Sequence, residues 1–243
     1  GVRGEYITIL HISGTIQADS IASAEYSQSW TLEQIDNAIE DDNNQGLILF
    51  INTPGGAVYE TDEVYMKLLE YKETGKPYYV AMGSQATSGG YYMAAPADKI
   101  YANRNCWTGS IGVIISYTNM KGLYDKLGLE EIIIATGDNK GMGSAAGSLT
   151  DEQKAIYQSL VDESYDVFVD IVAKGRNMDI ETVKQLADGR VYSAQQAFEN
   201  GLVDKVEGWE EALALMEEKT GVEGYKKQFA STATLFDHLL YGV

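Results

Sequence analysis

Two glycine pairs and one lysine carry the chemistry that this sequence can do. Ser88 is followed by Gly89-Gly90-Tyr91-Tyr92, directly after a stretch that reads as a strand and where a helix should open. A serine on such a turn stands exposed at a sheet edge, its small neighbours admit a substrate backbone, and the amide after it points toward a developing oxyanion. The Gly-x-Ser-x-Gly pattern itself is not met, because Ala86 holds the first glycine position. Taken alone, Thr-Ser-Gly-Gly is more often an ordinary helix cap and turn. Asn52-Thr53-Pro54-Gly55-Gly56 also follows an apolar run and precedes a helical pattern. Alone it too reads as a turn. Together, two glycine-rich strand ends in adjacent βα units can form opposite walls of one site, with the Gly56 and Gly89 amides as donors for acyl transfer.

A serine nucleophile needs a base. The only histidines are His11, in an alternating apolar strand, and His238, near the C-terminus, and both read as structural. Lysine can do this work when burial disfavours its ammonium form, by up to about 3 to 5 pKa units for a fully buried group. Lys140 lies in the glycine-flanked stretch Thr136-Gly137-Asp138-Asn139-Lys140-Gly141-Met142-Gly143. By composition alone it is one surface lysine among many. Other chemistries find less support: there is no His-Glu-x-x-His, and the single Cys106 builds neither a thiolate zinc site nor a disulfide. Metal catalysis is therefore not expected, although a carboxylate site stays open, and Cys106 reads as a small apolar filler. No phosphate-binding loop or dinucleotide fingerprint is present.

The elements that must hold these residues alternate along the chain. Residues 7–12 read as a strand, followed by a polar loop to Ser29 and a helix expected to start at Thr31, with Gln34 at capping-box spacing. Leu47-Ile48-Leu49-Phe50-Ile51 is a continuous apolar run, suited to a strand covered on both faces. A helix over 58–72, a strand over 78–82, a helix from Ser88 and a strand near Ile100 follow. The apolar runs 111–115 and 132–134 predict two further strands, separated by a helix over 119–126. Thr150 and Gln153 repeat the capping-box spacing ahead of a helix reaching about Lys174, and shorter helices are expected over 180–186, 194–200 and 210–219. This rhythm argues for an α/β domain with helices on the faces of a sheet.

The 243 residues, 44% of them hydrophobic, supply a sizeable core. With no linker or repeat in view, one domain is expected over 1–220, with 221–243 as a tail that packs on a neighbour or stays mobile. Thirty-six acidic against eighteen basic residues give a net charge of -18, which repels phosphate backbones and anionic headgroups. Nucleic acid is not an expected partner. No apolar run approaches the roughly 20 residues needed to span a bilayer. The chain begins Gly1-Val2-Arg3 without methionine, as a trimmed product or fragment would, which leaves room for an N-terminal anchor or signal outside this segment.

At this point the residues carry a resemblance. Thr53-Pro54-Gly55-Gly56, Ser88-Gly89-Gly90-Tyr91-Tyr92, Thr108-Gly109-Ser110-Ile111-Gly112-Val113 and the Lys140 loop, in that order, resemble signal peptide peptidase A from about Ile7 to Glu217. The resemblance implies that Ser88 is the nucleophile, Lys140 the general base and Ser110 the residue that hydrogen-bonds the lysine. It implies the crotonase-like, Clp-protease-like α/β superhelix of repeated βα units, no cofactor, and a homo-oligomeric ring in which Ser88 and Lys140 meet across a subunit boundary. It further implies a membrane-anchored protein whose catalytic domain faces outside the cytoplasm and cleaves extended apolar peptides such as signal peptide remnants. Two departures touch loop shape: Thr87 stands where alanine is usual, and Ser144-Ala145-Ala146 lacks a common proline. The alternatives are a capsid maturation protease of phage type, a crotonase-like acyl-CoA enzyme using the same amides without a covalent step, and a non-catalytic scaffold.

Overall fold

In the computed structural model, residues 4–20 and 25–230 are described. His238 and the tail residues Leu235, Phe236, Leu239 and Leu240 lie outside them. The chain divides into two compact units, one of residues 1–112 and 168–243 and the other of residues 113–167.

The first unit is built on a seven-stranded sheet. Strands β1 (Tyr6–Ser13), β2 (Asn44–Thr53), β3 (Tyr78–Thr87), β4 (Lys99–Ala102), β5 (Trp107–Gly109), β6 (Val191–Ser193) and β7 (Tyr225–Gln228) run in the order β6-β5-β3-β2-β1-β7. The first half of β3 pairs with β4 and its last three residues pair with β5. Every pairing is parallel except β5 with β6. Parallel pairing demands crossovers, supplied here by helices α1 (Gln28–Glu40), α2 (Val58–Glu73) and α3 (Gly89–Ala94). The apolar run in β2 behaves as its composition dictates: Leu47, Ile48, Leu49 and Ile51 are all fully buried. One face, through Ile9, Ile48, Tyr79 and Ala81, packs on Ala212, Leu213 and Met216 of a C-terminal helix, Trp209–Thr220.

Helix α1 starts earlier than its sequence pattern suggested. Ser27 caps it by accepting from the Trp30 amide at 3.3 Å, and the Asp19 carboxylate accepts from the Gln28 and Ser29 amides at 2.8 and 3.0 Å. Thr31, expected as the cap, instead donates its hydroxyl to the Ser27 carbonyl at 2.7 Å inside the first turn. The segment after Gly221 begins as the edge strand β7, paired with β1 from Ile7–Tyr225 to Leu10–Gln228.

In the second unit, helix α4 (Lys121–Leu127) and the start of α5 (Asp151–Arg176) are the regular elements. The capping box that opens α5 is complete: the Thr150 amide donates to Gln153 Oε1 and the Gln153 amide to Thr150 Oγ1, both at 3.1 Å. The strands expected over 111–115 and 132–134 are absent. An apolar run becomes a strand only with a ladder partner, and among the described residues these runs have none. On that side of the sheet the strand is Trp107–Gly109, and its free edge is taken by β6. Ile114, Ile132 and Ile134 are left 86%, 75% and 97% exposed. Two short helices over Ile180–Leu186 (α6) and Ala194–Glu199 (α7) complete the first unit, and the helix under the sheet is α8.

Candidate active site

Three neighbouring strand ends converge in the first unit. Thr53 at the end of β2 pairs with Ala86, and Thr87 at the end of β3 pairs with Gly109 at the end of β5. Ser88 and Ser110 therefore each stand one residue beyond the same pair. Both are held in the left-handed region, at φ 53° and 48°, which non-glycine residues enter only where surrounding structure imposes it. For Ser88 the constraint is the bond from its amide to the Gly109 carbonyl at 2.9 Å, together with the bond from the Tyr92 amide to its own carbonyl at 3.0 Å. For Ser110 it is the bond from its amide to the Arg190 carbonyl at 2.8 Å. Ser88 opens α3, yet its side chain makes no capping bond. The ordinary cap reading of Thr-Ser-Gly-Gly fails on that point, leaving a half-buried hydroxyl on a strained strand-to-helix turn.

The opposite wall is the Pro54-Gly55-Gly56 loop. Gly55 has φ 93°, and a Cβ on it would lie 2.6 Å from the Gly89 nitrogen and 2.8 Å from Ser88 Cβ. No side chain fits there, so the two glycine pairs touch backbone to backbone, as their sequence positions implied. Gly56 forms a parallel bridge with Ile16, in which the Ile16 amide donates to the Gly55 carbonyl and the Ala57 amide to the Ile16 carbonyl, both at 2.9 Å. That pattern leaves the Gly56 N–H outside the pairing. Gly89, as the first residue of α3, has no acceptor one turn back for its own N–H. Two unspent amides from facing backbones, beside a strained serine, are what an oxyanion in acyl transfer requires.

Lys140 belongs to the second unit. It sits in a run of turns, where the Met142 amide donates to the Asn139 carbonyl at 3.2 Å, and its side chain is exposed. A cavity of about 420 Å³ in the same unit is lined by Glu131, Asp138, Gly141, Met142, Ser144 and Gln153 among others. The first unit thus brings together Ser88, Gly89, Gly56 and Ser110.

The remaining titratable candidates are structural. Cys106 is buried and its thiol is pushed up to about 12 by that burial, which removes it as a nucleophile. His11, between the Phe50 and Phe229 rings at 4.7 and 4.0 Å, is pushed down to about 4, by burial first and then by the charge of Lys227. Sequence reasoning missed Thr87, whose hydroxyl donates to the Pro54 carbonyl at 3.1 Å. Its one signal was the departure from alanine at that position.

Comparison with known proteins places these residues among relatives. The family model described as Peptidase family S49 matches residues 70–223. A protein of Enterococcus faecium named for signal peptide peptidase SppA is 38% identical over 97% of this chain and 70% of its own length. Protease 4 of Haemophilus influenzae is 33% identical over 85% of this chain and 34% of its own length. Capsid assembly protease C of Escherichia phage lambda is 25% identical over 86% of this chain and 48% of its own length. The chain therefore spans most of the first relative and between a third and a half of the other two.

Proposed function

Because the chain belongs to peptidase family S49, we propose that it is a serine endopeptidase working through Ser88 and Lys140, with Ser110 orienting the lysine. Its mixed, mostly parallel α/β sheet is the crotonase-like, Clp-protease-like class that the resemblance implied. The observation that carries the reading is Ser88 itself: a serine at φ 53° that caps nothing, with the unspent Gly89 and Gly56 amides beside it. In the proposed reaction Ser88 Oγ gives its proton to the neutral Lys140 amine and attacks the peptide carbonyl. The oxyanion that forms accepts from Gly56 and Gly89, and its collapse passes the lysine's proton to the leaving amine. Water, deprotonated by the same amine, then attacks the ester, releasing the acid and restoring Ser88.

Lys140 can be neutral only where it is shielded from water. We assign that shielding to a neighbouring copy, so that each site in a ring joins Ser88 of one protomer to the Lys140 loop of the next. The exposed Ile114, Ile132 and Ile134 support this, since large apolar side chains left uncovered among the described residues are what an obligate contact buries. Extended apolar peptides, signal peptide remnants among them, are the proposed substrates, reached through an N-terminal membrane anchor. Among the described residues no helix is long and apolar enough to cross a membrane. Likeness to the phage lambda protein keeps one second reading, capsid maturation, for which cleavage of a scaffold polypeptide in place of short apolar peptides would speak. The acyl-CoA reading finds no counterpart among these relatives.

The test is labelling of the assembled protein with a serine-directed acylating probe over a pH series, with the modified peptide mapped. Label at Ser88 that rises as a single group deprotonates, and that disappears in Lys140→Ala, is expected. Label elsewhere, or turnover retained in Ser88→Ala, sinks the proposal.

A further inference from the structure

Just before the site, the ladder between β2 and β3 is broken. Ile51 pairs with Met82, but the next pair is Thr53 with Ala86, so Gly83, Ser84 and Gln85 face Asn52 alone. A bulge of this kind removes backbone bonds and re-aims the strand beyond it, here toward Ser88. Side chains restore the connection. The Ser84 hydroxyl donates to Asn52 Oδ1 at 2.6 Å and the Gln85 amide to the same oxygen at 3.3 Å. Gln85 Nε2 then donates to Thr87 Oγ1 at 3.1 Å, and Thr87 Oγ1 donates to the Pro54 carbonyl at 3.1 Å. A carbonyl only accepts and an amide NH₂ only gives, so the single proton of Thr87 is committed to Pro54. The hydroxyl is shielded from competing water, with Thr87 only 3% exposed.

The placement of this bond decides its meaning. Thr87 immediately precedes Ser88 and Gly89, and Pro54 immediately precedes Gly55 and Gly56. One buried hydroxyl thus ties together the two segments that carry the nucleophile and both oxyanion donors. Gly55 meets Gly89 with no side chain between them; on its own side the loop is held by the Gly55 amide donating to Thr53 Oγ1 at 3.1 Å and the Ile16 amide donating to the Gly55 carbonyl at 2.9 Å, while the Thr87 bond reaches it from the end of β3. We propose that Thr87 is a positioning residue, whose bond to Pro54, directed by Gln85, sets the separation between the Gly56 amide and the Ser88 hydroxyl. The inference rests on the serine protease reading. It concerns a device of this chain's own residues, Gln85, Thr87 and Pro54.

The experiment measures kcat and KM of the assembled enzyme on a fluorogenic peptide with apolar residues before the scissile bond, together with thermal unfolding. Wild type, Thr87→Val, Thr87→Ser and Gln85→Leu are compared, with Ser88→Ala as the blank. Thr87→Val keeps the shape and deletes the bond; kcat is expected to fall about tenfold, because small misplacements in an active site cost rate. KM should stay within about twofold, and Thr87→Ser, which keeps the hydroxyl, should stay near wild type, with Gln85→Leu between the two. Wild-type kcat in Thr87→Val overturns the proposal, as does a Thr87→Ser loss equal to that of valine, which would mean that the methyl group matters and the hydroxyl does not. If Thr87→Val does not fold, an unchanged kcat in Gln85→Leu overturns it instead. A wild type no faster than Ser88→Ala brings down the protease reading itself, an outcome recognisable because every variant is then equally silent.

Discussion

The ends of β2, β3 and β5 and the segment 113–167 are built in opposite ways. At the strand ends nearly every group is fixed twice: Ser88 by Gly109 and Tyr92, Gly55 by the Thr53 hydroxyl and the Ile16 amide, and Thr87 by Gln85 and Pro54. In the other segment apolar side chains face water, the apolar runs have no strand partner among the described residues, and the Lys140 side chain is exposed. The difference teaches that a chain can hold a serine and two glycine backbones rigidly by local bonds while leaving another segment of its own length open to solvent. Strain at φ 53° is sustained by local hydrogen bonds, whereas the Lys140 side chain is exposed among the described residues.

Removing either half of the dyad should break the comparison most severely. Ser88→Ala and Lys140→Ala should each lower kcat by about 10⁴-fold or more while the unfolding temperature stays put, read by peptide turnover and calorimetry. Next comes Gly56→Ala. Its Cβ would lie 1.9 Å from the Ile16 carbonyl oxygen, so the backbone must shift and carry the amide with it. A kcat loss of about 10² to 10³, the usual cost of one oxyanion donor, is expected, and near-normal turnover would remove Gly56 from the site. Replacing Ile132 and Ile134 together by serine touches only the open segment. Light scattering should then find smaller particles, with turnover lost in proportion, while unfolding of the subunit changes by no more than about 0.5 kcal/mol. Full activity in a monomer would refute the shared site.

The smallest effect belongs to the sheet alone. Folding pushes the His11 imidazole from 6.5 down to about 4, by burial and by Lys227, so the folded form stays neutral where the unfolded chain takes up a proton. The unfolded state then binds more protons, and stability falls as pH drops from about 6.5 to about 4. In His11→Phe, which keeps the ring against Phe50 and Phe229, that slope should be shallower than in wild type. An unchanged slope in thermal melts would show that this histidine does not report on the sheet unit.

What the sequence made legible follows from how each residue is satisfied. Leu47 to Ile51 could be read because both faces of β2 are covered, and Thr150 with Gln153 because a capping box is closed within four residues. The start of α1 was misjudged because one of its caps, Asp19, arrives from nine residues before Gln28. Strand β7 escaped notice because Tyr-Lys-Lys-Gln has no apolar pattern; Lys226 and Lys227 lie instead over the rings of Tyr6 and Trp209, at 3.5 and 3.8 Å. The runs 111–115 and 132–134 misled for the converse reason, since their apolar composition records a need for cover without naming who provides it. The glycine pairs led to Gly56 and Ser88 and the resemblance to Ser110, and all three lie just beyond the ends of β2, β3 and β5. The tie through Thr87 was hidden, because it depends on a bulge that only paired strands reveal.

The partnership of β1 with β7 joins almost the first and almost the last described residues of the chain, Ile7 with Tyr225. During vectorial synthesis β1 emerges well before β7 and must keep one margin bare over the long stretch between them. Such an unpaired margin is a template for illegitimate pairing, and a closure this distant in sequence is slow. Newly made copies crowded on one messenger are therefore most vulnerable to tangling in the interval before β7 arrives.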